Sequence, residues 1–153
     1  MTDVQRLAER FNRHLRDVVL LLRRASAELP LTMQQFTVLG SLEHGARRMT
    51  DLAAEHGVRL PTMTVQVNRL EREGLAERRA DPADARRVLV RLTPTGRARL
   101  RAARTARTRY LADRLSGLSA ADQAAIDAAL DALAKVVAAD PATDGEKEER
   151  DPR

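Results

Sequence analysis

Few residues in this chain are spaced for chemistry, and most of those that could take part are arginines. There is no cysteine, which excludes disulfides, thiolate metal sites and thiol switches. His14, His44 and His56 are too far apart for local zinc-ligand spacing. The seven glycines are scattered as caps and turns rather than gathered into a phosphate-cradling loop. Asp81 and Asp84 could pair as acid and base, but "ADPADARR" is a turn without a pocket, and turn chemistry accounts for Asp81-Pro82. It does not account for Arg86 and Arg87. The second concentration of polar groups lies in "LPTMTVQVNRLER". With Met63, Val67 and Leu70 turned inward on a helix, Pro61, Val65, Asn68 and Arg72 face outward, flanked by Thr62, Thr64 and Arg69. Arginine, asparagine, threonine and an exposed valine can meet guanine, adenine, phosphate and the thymine methyl in a major groove. An ordinary solvated helix face would carry more glutamate and lysine.

The charge distribution points the same way. Residues 140–153, "DPATDGEKEERDPR", carry six acids against three bases, which leaves 24 bases and 16 acids in residues 1–139, a net of +8. Residues 69–109 hold thirteen arginines and five acids, so this one segment carries the whole excess. Compositional bias explains part of the arginine usage but not its clustering, and a guanidinium fork suits phosphates and base edges. At 153 residues the chain can form one domain with a core, or two small lobes sharing one. Its longest apolar run, "VVLLL" at 18–22, is far too short to span a membrane. The charged N-terminus lacks the apolar centre of an export signal, so a cytoplasmic location is expected.

These residues need elements to position them. Val4, Leu7, Phe11, Leu15, Val18 and Leu22 recur at helical spacing, predicting a long first helix that Pro30 stops. Thr32 with Gln35 reads as a capping box, with Leu31 able to staple onto Phe36, for a helix running through Val38, Leu39 and Leu42 to Gly45. "ARRM" suggests a short strand. Thr50 is expected to cap a very short helix closed by Gly57, and Pro61 sits early in the next, which Gly74 ends. Short helix, glycine turn, second helix is helix-turn-helix grammar. "AERR" and "VLVRL" predict a hairpin around "ADPADAR", with Val88, Val90 and Leu92 alternating. Thr93-Pro94 opens an arginine-rich helix that keeps Leu100, Ala103, Tyr110, Leu111 and Leu115 for packing. Ser119 with Asp122 reads as another capping box, for a last helix with Ile126, Leu130, Leu133 and Val137 on one face. The tail beyond Asp140 reads as disordered. The expected fold is mainly α with a small β-hairpin wing.

Residues 49–96, "MTDLAAEHGVRLPTMTVQVNRLEREGLAERRADPADARRVLVRLTPTG", resemble the winged-helix core of the MarR (multiple antibiotic resistance regulator) family. The most specific pieces are "RLEREGLAER", the Asp-x-Arg motif at Asp84–Arg86 and the closing "VRLTPTG". With the flanking helices, the resemblance spans about residues 4–139. It implies a homodimeric regulator, 1–29 and 97–139 supplying the dimerisation helices and 30–96 the winged helix-turn-helix. Val4, Leu7, Phe11, Leu15, Ile126, Leu130, Leu133 and Val137 would form the dimer contact. The recognition helix would present Arg59, Pro61, Thr62, Thr64, Val65, Asn68 and Arg69 to a major groove of a palindromic operator. Arg86, with Arg87 beside it, would reach a minor groove, and Asp84 would hold Arg86 in place. A repressor released by a small-molecule effector is implied, with no cofactor or metal and no enzymatic role. Two departures bear on the target sequence: Arg59 stands where most relatives have a capping serine, and Val65 where a polar residue is common, with Gln66 beside it. The rival reading, from the residues alone, is a helical interaction module whose basic face binds RNA or an acidic protein.

Overall fold

Short polar side chains and glycines mark most element boundaries. The computed structural model describes residues 2–26, 31–84 and 86–139; the expected stop at Pro30 and the tail 140–153 fall outside them. The order is α1 (Asp3–Ser26), α2 (Met33–Ser41), β1 (Arg47–Arg48), α3 (Met49–Glu55), α4 (Leu60–Arg72), β2 (Ala76–Ala80), β3 (Val88–Leu92), α5 (Pro94–Leu115) and α6 (Ala120–Ala138). Thr32 and Gln35 close the expected capping box at the start of α2, each side chain bonding the other's backbone N–H. Gly57 and Gly74 follow α3 and α4 with φ of +61° and +68°, where a side chain would be strained. After each, the next amide folds back onto the helix: Val58 N–H donates to the Ala53 carbonyl at 3.0 Å and Leu75 N–H to that of Leu70 at 2.8 Å.

Three boundaries differ from expectation. Helix α2 ends at Ser41, with Leu42 as its C-cap in right-handed backbone, before Gly45 is reached. Leu42 is fully buried, so the core turns the chain there without a glycine. Thr50 lies inside α3, whose N-cap is Arg48 with no side-chain cap, because pairing of Arg47–Arg48 with β3 brings the extended chain up to Met49. At α6 the Ser119 hydroxyl accepts from Asp122 N–H but donates to the Asp122 carboxylate, so the return bond of a capping box is missing.

The hairpin becomes a three-stranded antiparallel sheet in the order β1-β3-β2, with Arg78 opposite Val90 and Arg47 opposite the same residue on the other edge. Val90 and Leu92 turn into the core, whereas Val88, near the tip, is half exposed because nothing packs over the end of the hairpin. The core gathers Leu39 of α2 and Leu42 at its C-cap, Leu52 of α3, Met63, Val67 and Leu70 of α4, Val90 of β3, and Leu100 and Ala103 of α5, as the helical and alternating spacings predict. Helix α1 packs on α5, and α5 on α2. Helix α6 buries none of its residues. No helix among the described residues is long and apolar enough to cross a membrane.

One close approach joins these parts. Thr93 caps α5, accepting from Gly96 N–H at 3.0 Å, while its hydroxyl donates to the Gly74 carbonyl at 2.6 Å and its N–H to the Leu75 carbonyl at 3.1 Å. The first turn of α5 is thereby pressed onto Leu75: a Cβ on Gly96 would stand 1.8 Å from the Leu75 carbonyl oxygen. Because the obstacle is backbone, Gly96→Ala is expected to lower stability by about 3 kcal/mol. Gly40→Ala, in α2 with open space around the added methyl, is expected to raise it by roughly 0.5–1 kcal/mol. Urea unfolding midpoints of the two variants measure both.

Candidate nucleic-acid interface

Helix α4 begins in extended backbone at Arg59 (φ −74°, ψ 151°), has Pro61 in its first turn, and makes no side-chain N-cap bond. Its inward stripe, Met63, Val67 and Leu70, is fully buried. This fixes the rotation of the helix and therefore the outward row. Pro61, Thr62, Asn68 and Arg72 are exposed, and Val65 is 66% exposed at the centre of that row. Val65, Asn68, Glu71 and Arg72 line a shallow groove.

Two residues expected on this face are otherwise engaged. The Thr64 hydroxyl, half-buried, donates back to the Leu60 carbonyl at 2.9 Å. Arg69 lies on the flank nearest α2, grouped with Gln66, Gln35 and Thr32, and its Nε donates to Glu73 Oε1 at 3.2 Å. Glu73 is anchored in turn, since Gln35 Nε2 donates to its other oxygen at 2.7 Å. Arg72 and Arg59 form no side-chain hydrogen bond or ion pair among the described residues.

The wing tip is held by its own aspartates. Asp81 accepts from Ala83 N–H at 2.9 Å, and Asp81 N–H donates to the Arg87 carbonyl at 2.8 Å, closing the loop across its neck. The Asp84 carboxylate is divided: Oδ1 accepts from the backbone N–H of Arg86 at 3.1 Å, and Oδ2 pairs with Arg87 Nε at 3.2 Å. Asp84 thus fixes Arg86 through the main chain, while its guanidinium partner is Arg87. The Arg86 side chain is exposed and unbonded among the described residues.

The other arginines of the hairpin have partners that sequence reading did not find. Glu77 accepts from Arg91 Nε and from Arg79, both at 2.8 Å, and these two bonds hold its carboxyl below the usual carboxylate range. Glu71 of α4 accepts from both the backbone N–H of Arg78, at 2.9 Å, and its guanidinium. The strand β2 lies at the sheet edge, so Arg78 N–H points away from the ladder and would otherwise be unpaired. Spacing gave no signal for the Glu77–Arg91 and Glu71–Arg78 contacts, because each crosses a turn and depends on how two elements meet.

The apolar faces assigned to assembly are uncovered in the single chain. Val4 is 74% exposed, Leu7, Phe11 and Leu15 are exposed along α1, and on α6 Ile126, Leu130 and Val137 are exposed while Leu133 is partly covered. The described residues contain no group of three or more His, Asp or Glu placed to hold a metal. His14 Nδ1 lies 2.8 Å from the Arg10 carbonyl, and His56 Nε2 lies 3.0 Å from the Ser41 hydroxyl.

The Glu71 strut sets the spacing between α4 and the wing. Glu71→Ala is expected to cost about 1–2 kcal/mol, since the bonds are charge-assisted and mostly shielded from water. The Arg78 amide should exchange with solvent at least about tenfold faster than in the native protein, while neighbouring ladder amides follow global stability. Hydrogen exchange resolved by residue measures it; an unchanged Arg78 rate would show that the strut does not hold the wing.

Comparison with known proteins matches this geometry. The sequence profile of the MarR family matches residues 31–88. The HTH-type transcriptional regulator Mb0904 of Mycobacterium bovis is 32% identical over 117 residues, which is 76% of this chain and 82% of that protein. Among solved structures, the transcriptional repressor CouR bound to a 23-mer DNA duplex superposes with a TM-score of 0.69 at 30% identity, covering 90% of this chain and 99% of CouR. Wild-type apo MarR of E. coli superposes with a TM-score of 0.69 at 26% identity, covering 87% and 98%. The chain therefore belongs to the MarR family of helix-turn-helix transcriptional regulators.

Proposed function

We propose that this chain binds a palindromic DNA operator as a homodimer, represses nearby genes, and releases DNA when a small-molecule effector binds. The observation that carries the reading is the pairing pattern of the hairpin. Among the described residues Arg78, Arg79, Arg87 and Arg91 are each matched to a carboxylate, and Arg86 is the hairpin arginine left bare, following a helix whose outward row carries Thr62, Val65, Asn68 and Arg72. A guanidinium held out on a stiff loop suits a narrow minor groove, whose negative potential attracts arginine. In this reading Arg59, Pro61, Thr62, Thr64, Val65 and Asn68 meet the major groove, and Arg69, tethered by Glu73, supplies charge rather than base readout. Asp84 and Arg87 shape the wing. Residues 1–29 and 97–139 dimerise, 30–96 bind DNA, and the protein works in the cytoplasm without catalysis. The exposed stripes of α1 and α6 support a symmetric partner, since burying them together removes a large apolar surface from water.

Light scattering of the full chain should give about twice the 17.0 kDa chain mass, and deletion of residues 1–22 should abolish dimerisation. Selection from a randomised duplex library should enrich a palindrome. A stable monomer at micromolar concentration, or equal affinity for random duplex and for RNA, would overturn the reading.

The wing separates two electrostatic accounts. Simple Coulomb repulsion between Asp84 and phosphates predicts tighter binding on its removal. If Asp84 instead holds the loop, Asp84→Ala weakens binding, by less than Arg86→Ala. The latter is expected to cost ~1–3 kcal/mol and to lower the salt slope by about one unit. Titrations of the selected duplex at several salt concentrations decide between them, tighter binding by Asp84→Ala refuting the holding role.

A further inference from the structure

On the reading that α4 enters a major groove, we infer that Val65 recognises the 5-methyl group of a thymine, with Asn68 addressing the adjoining base pair. Val65 is 66% exposed, whereas the apolar residues facing the core from α4 are at most 1% exposed. Valine is a weak helix former, so at this position it serves neither the helix nor the core. A single exposed aliphatic residue would mean little. What distinguishes Val65 is its setting: it shares the outward groove with Asn68 and Arg72, and both carboxylates near that row are already engaged. Glu71 is taken by Arg78, and Glu73 by Gln35 and Arg69. No free carboxylate therefore stands between this row and a phosphate backbone. Arg72 is the guanidinium of α4 left without an intramolecular partner among the described residues, while Arg69 is tied down on the α2 flank.

The spacing suits a base-edge row. Val65 and Asn68 are three residues apart, a rise of about 4.5 Å along a helix axis, close to the ~3.4 Å step between stacked bases. On the floor of the major groove the thymine methyl is the one projecting apolar group; cytosine offers only a C5–H in its place, and the remaining groups that identify a base are hydrogen-bond donors or acceptors. An isopropyl group pressed onto a polar edge strips water without replacing its hydrogen bonds, which is unfavourable. Against a methyl it removes apolar surface on both sides. The amide of Asn68, one step along, can bond an adenine edge bidentately.

The test uses the highest-affinity palindromic duplex recovered by selection with the native full chain. Each thymine is replaced singly, and then symmetrically, by deoxyuridine, which removes the methyl and keeps the base pairing. One thymine per half-site should be sensitive. Its loss should weaken binding about fourfold, and about fifteenfold when both half-sites are changed, the factors expected for one and two methyl groups returned to water. Val65→Ala should bind thymine and uracil duplexes equally, whereas Arg69→Ala should lower all affinities yet keep the difference. Because Val65 is exposed and alanine is the better helix former, Val65→Ala should unfold at or slightly above the native temperature, which separates a readout effect from a folding defect. The inference is overturned if the native protein tolerates uracil everywhere, or if the sensitivity survives in Val65→Ala. Failure of selection to enrich any sequence would instead overturn the DNA-binding reading on which it rests.

Discussion

The contact between Gly96 and the Leu75 carbonyl holds the rest of the structure in place. It joins the end of α4, the foot of the hairpin and the start of α5 in a single seam, with Thr93 bonded to both Gly74 and Gly96. Because each of these elements is rigid, pinning them at one point transmits any tilt of α5 to the base of the wing and the recognition helix. The strut from Glu71 to Arg78 is a second fixing point farther up the hairpin. Two fixings along a short ribbon determine its angle, and one would leave it free to swing.

Around this frame the arginines divide by their partners. Arg78, Arg79 and Arg91 of the hairpin stem and Arg69 of α4 are paired with Glu71, Glu77 and Glu73, which stiffens the scaffold. Within the stretch from Arg59 to Leu92, Arg59 before α4, Arg72 at its end and Arg86 at the wing tip are exposed and form no side-chain hydrogen bond or ion pair among the described residues.

Helix α5 links the two ends of the molecule. Arg104 forms a two-pronged pair with Glu43, at 2.8 and 2.7 Å, which holds the Glu43 carboxyl below the usual carboxylate range. Arg107 lies over the Phe36 ring at 4.2 Å, and its burial pushes the guanidinium below its ordinary value. Both contacts fasten α5 to α2 and its following turn, so the long helices that carry the uncovered apolar faces are tied to the base-reading half. A shift where the long helices meet a partner would therefore reach the seam at Gly96 through packed side chains.

The elements themselves were legible in the sequence, because their signals are local. A capping box at Thr32 and Gln35, glycines in left-handed backbone at 57 and 74, and the stripe Met63, Val67 and Leu70 act within one or two helical turns, and the structure contains each of them. Where the sequence misled, a neighbour from elsewhere in the chain prevailed: the β1–β3 ladder moved the start of α3 ahead of Thr50, and burial of Leu42 ended α2 before Gly45. The outward row of α4 could be read from periodicity, but which of its charges remain available could not. The i,i+4 spacing allows Arg69 to pair with Glu73, whereas Arg72 has Ala76 at that distance, but only the approach of α2 brings Gln35 to the other oxygen of Glu73 and fixes that carboxylate. Likewise the run "EREGLAER", residues 71–78, says nothing of whether Glu71 meets Arg78, and a glycine at 96 looks like any other helix residue until Leu75 is placed against it. Periodicity and capping are set by bonds a few residues long, so the sequence determined the helices, the wing and their faces. Ion-pair partners and close backbone approaches depend on distances of an ångström between elements far apart in the chain, and only the assembled tertiary structure decides those.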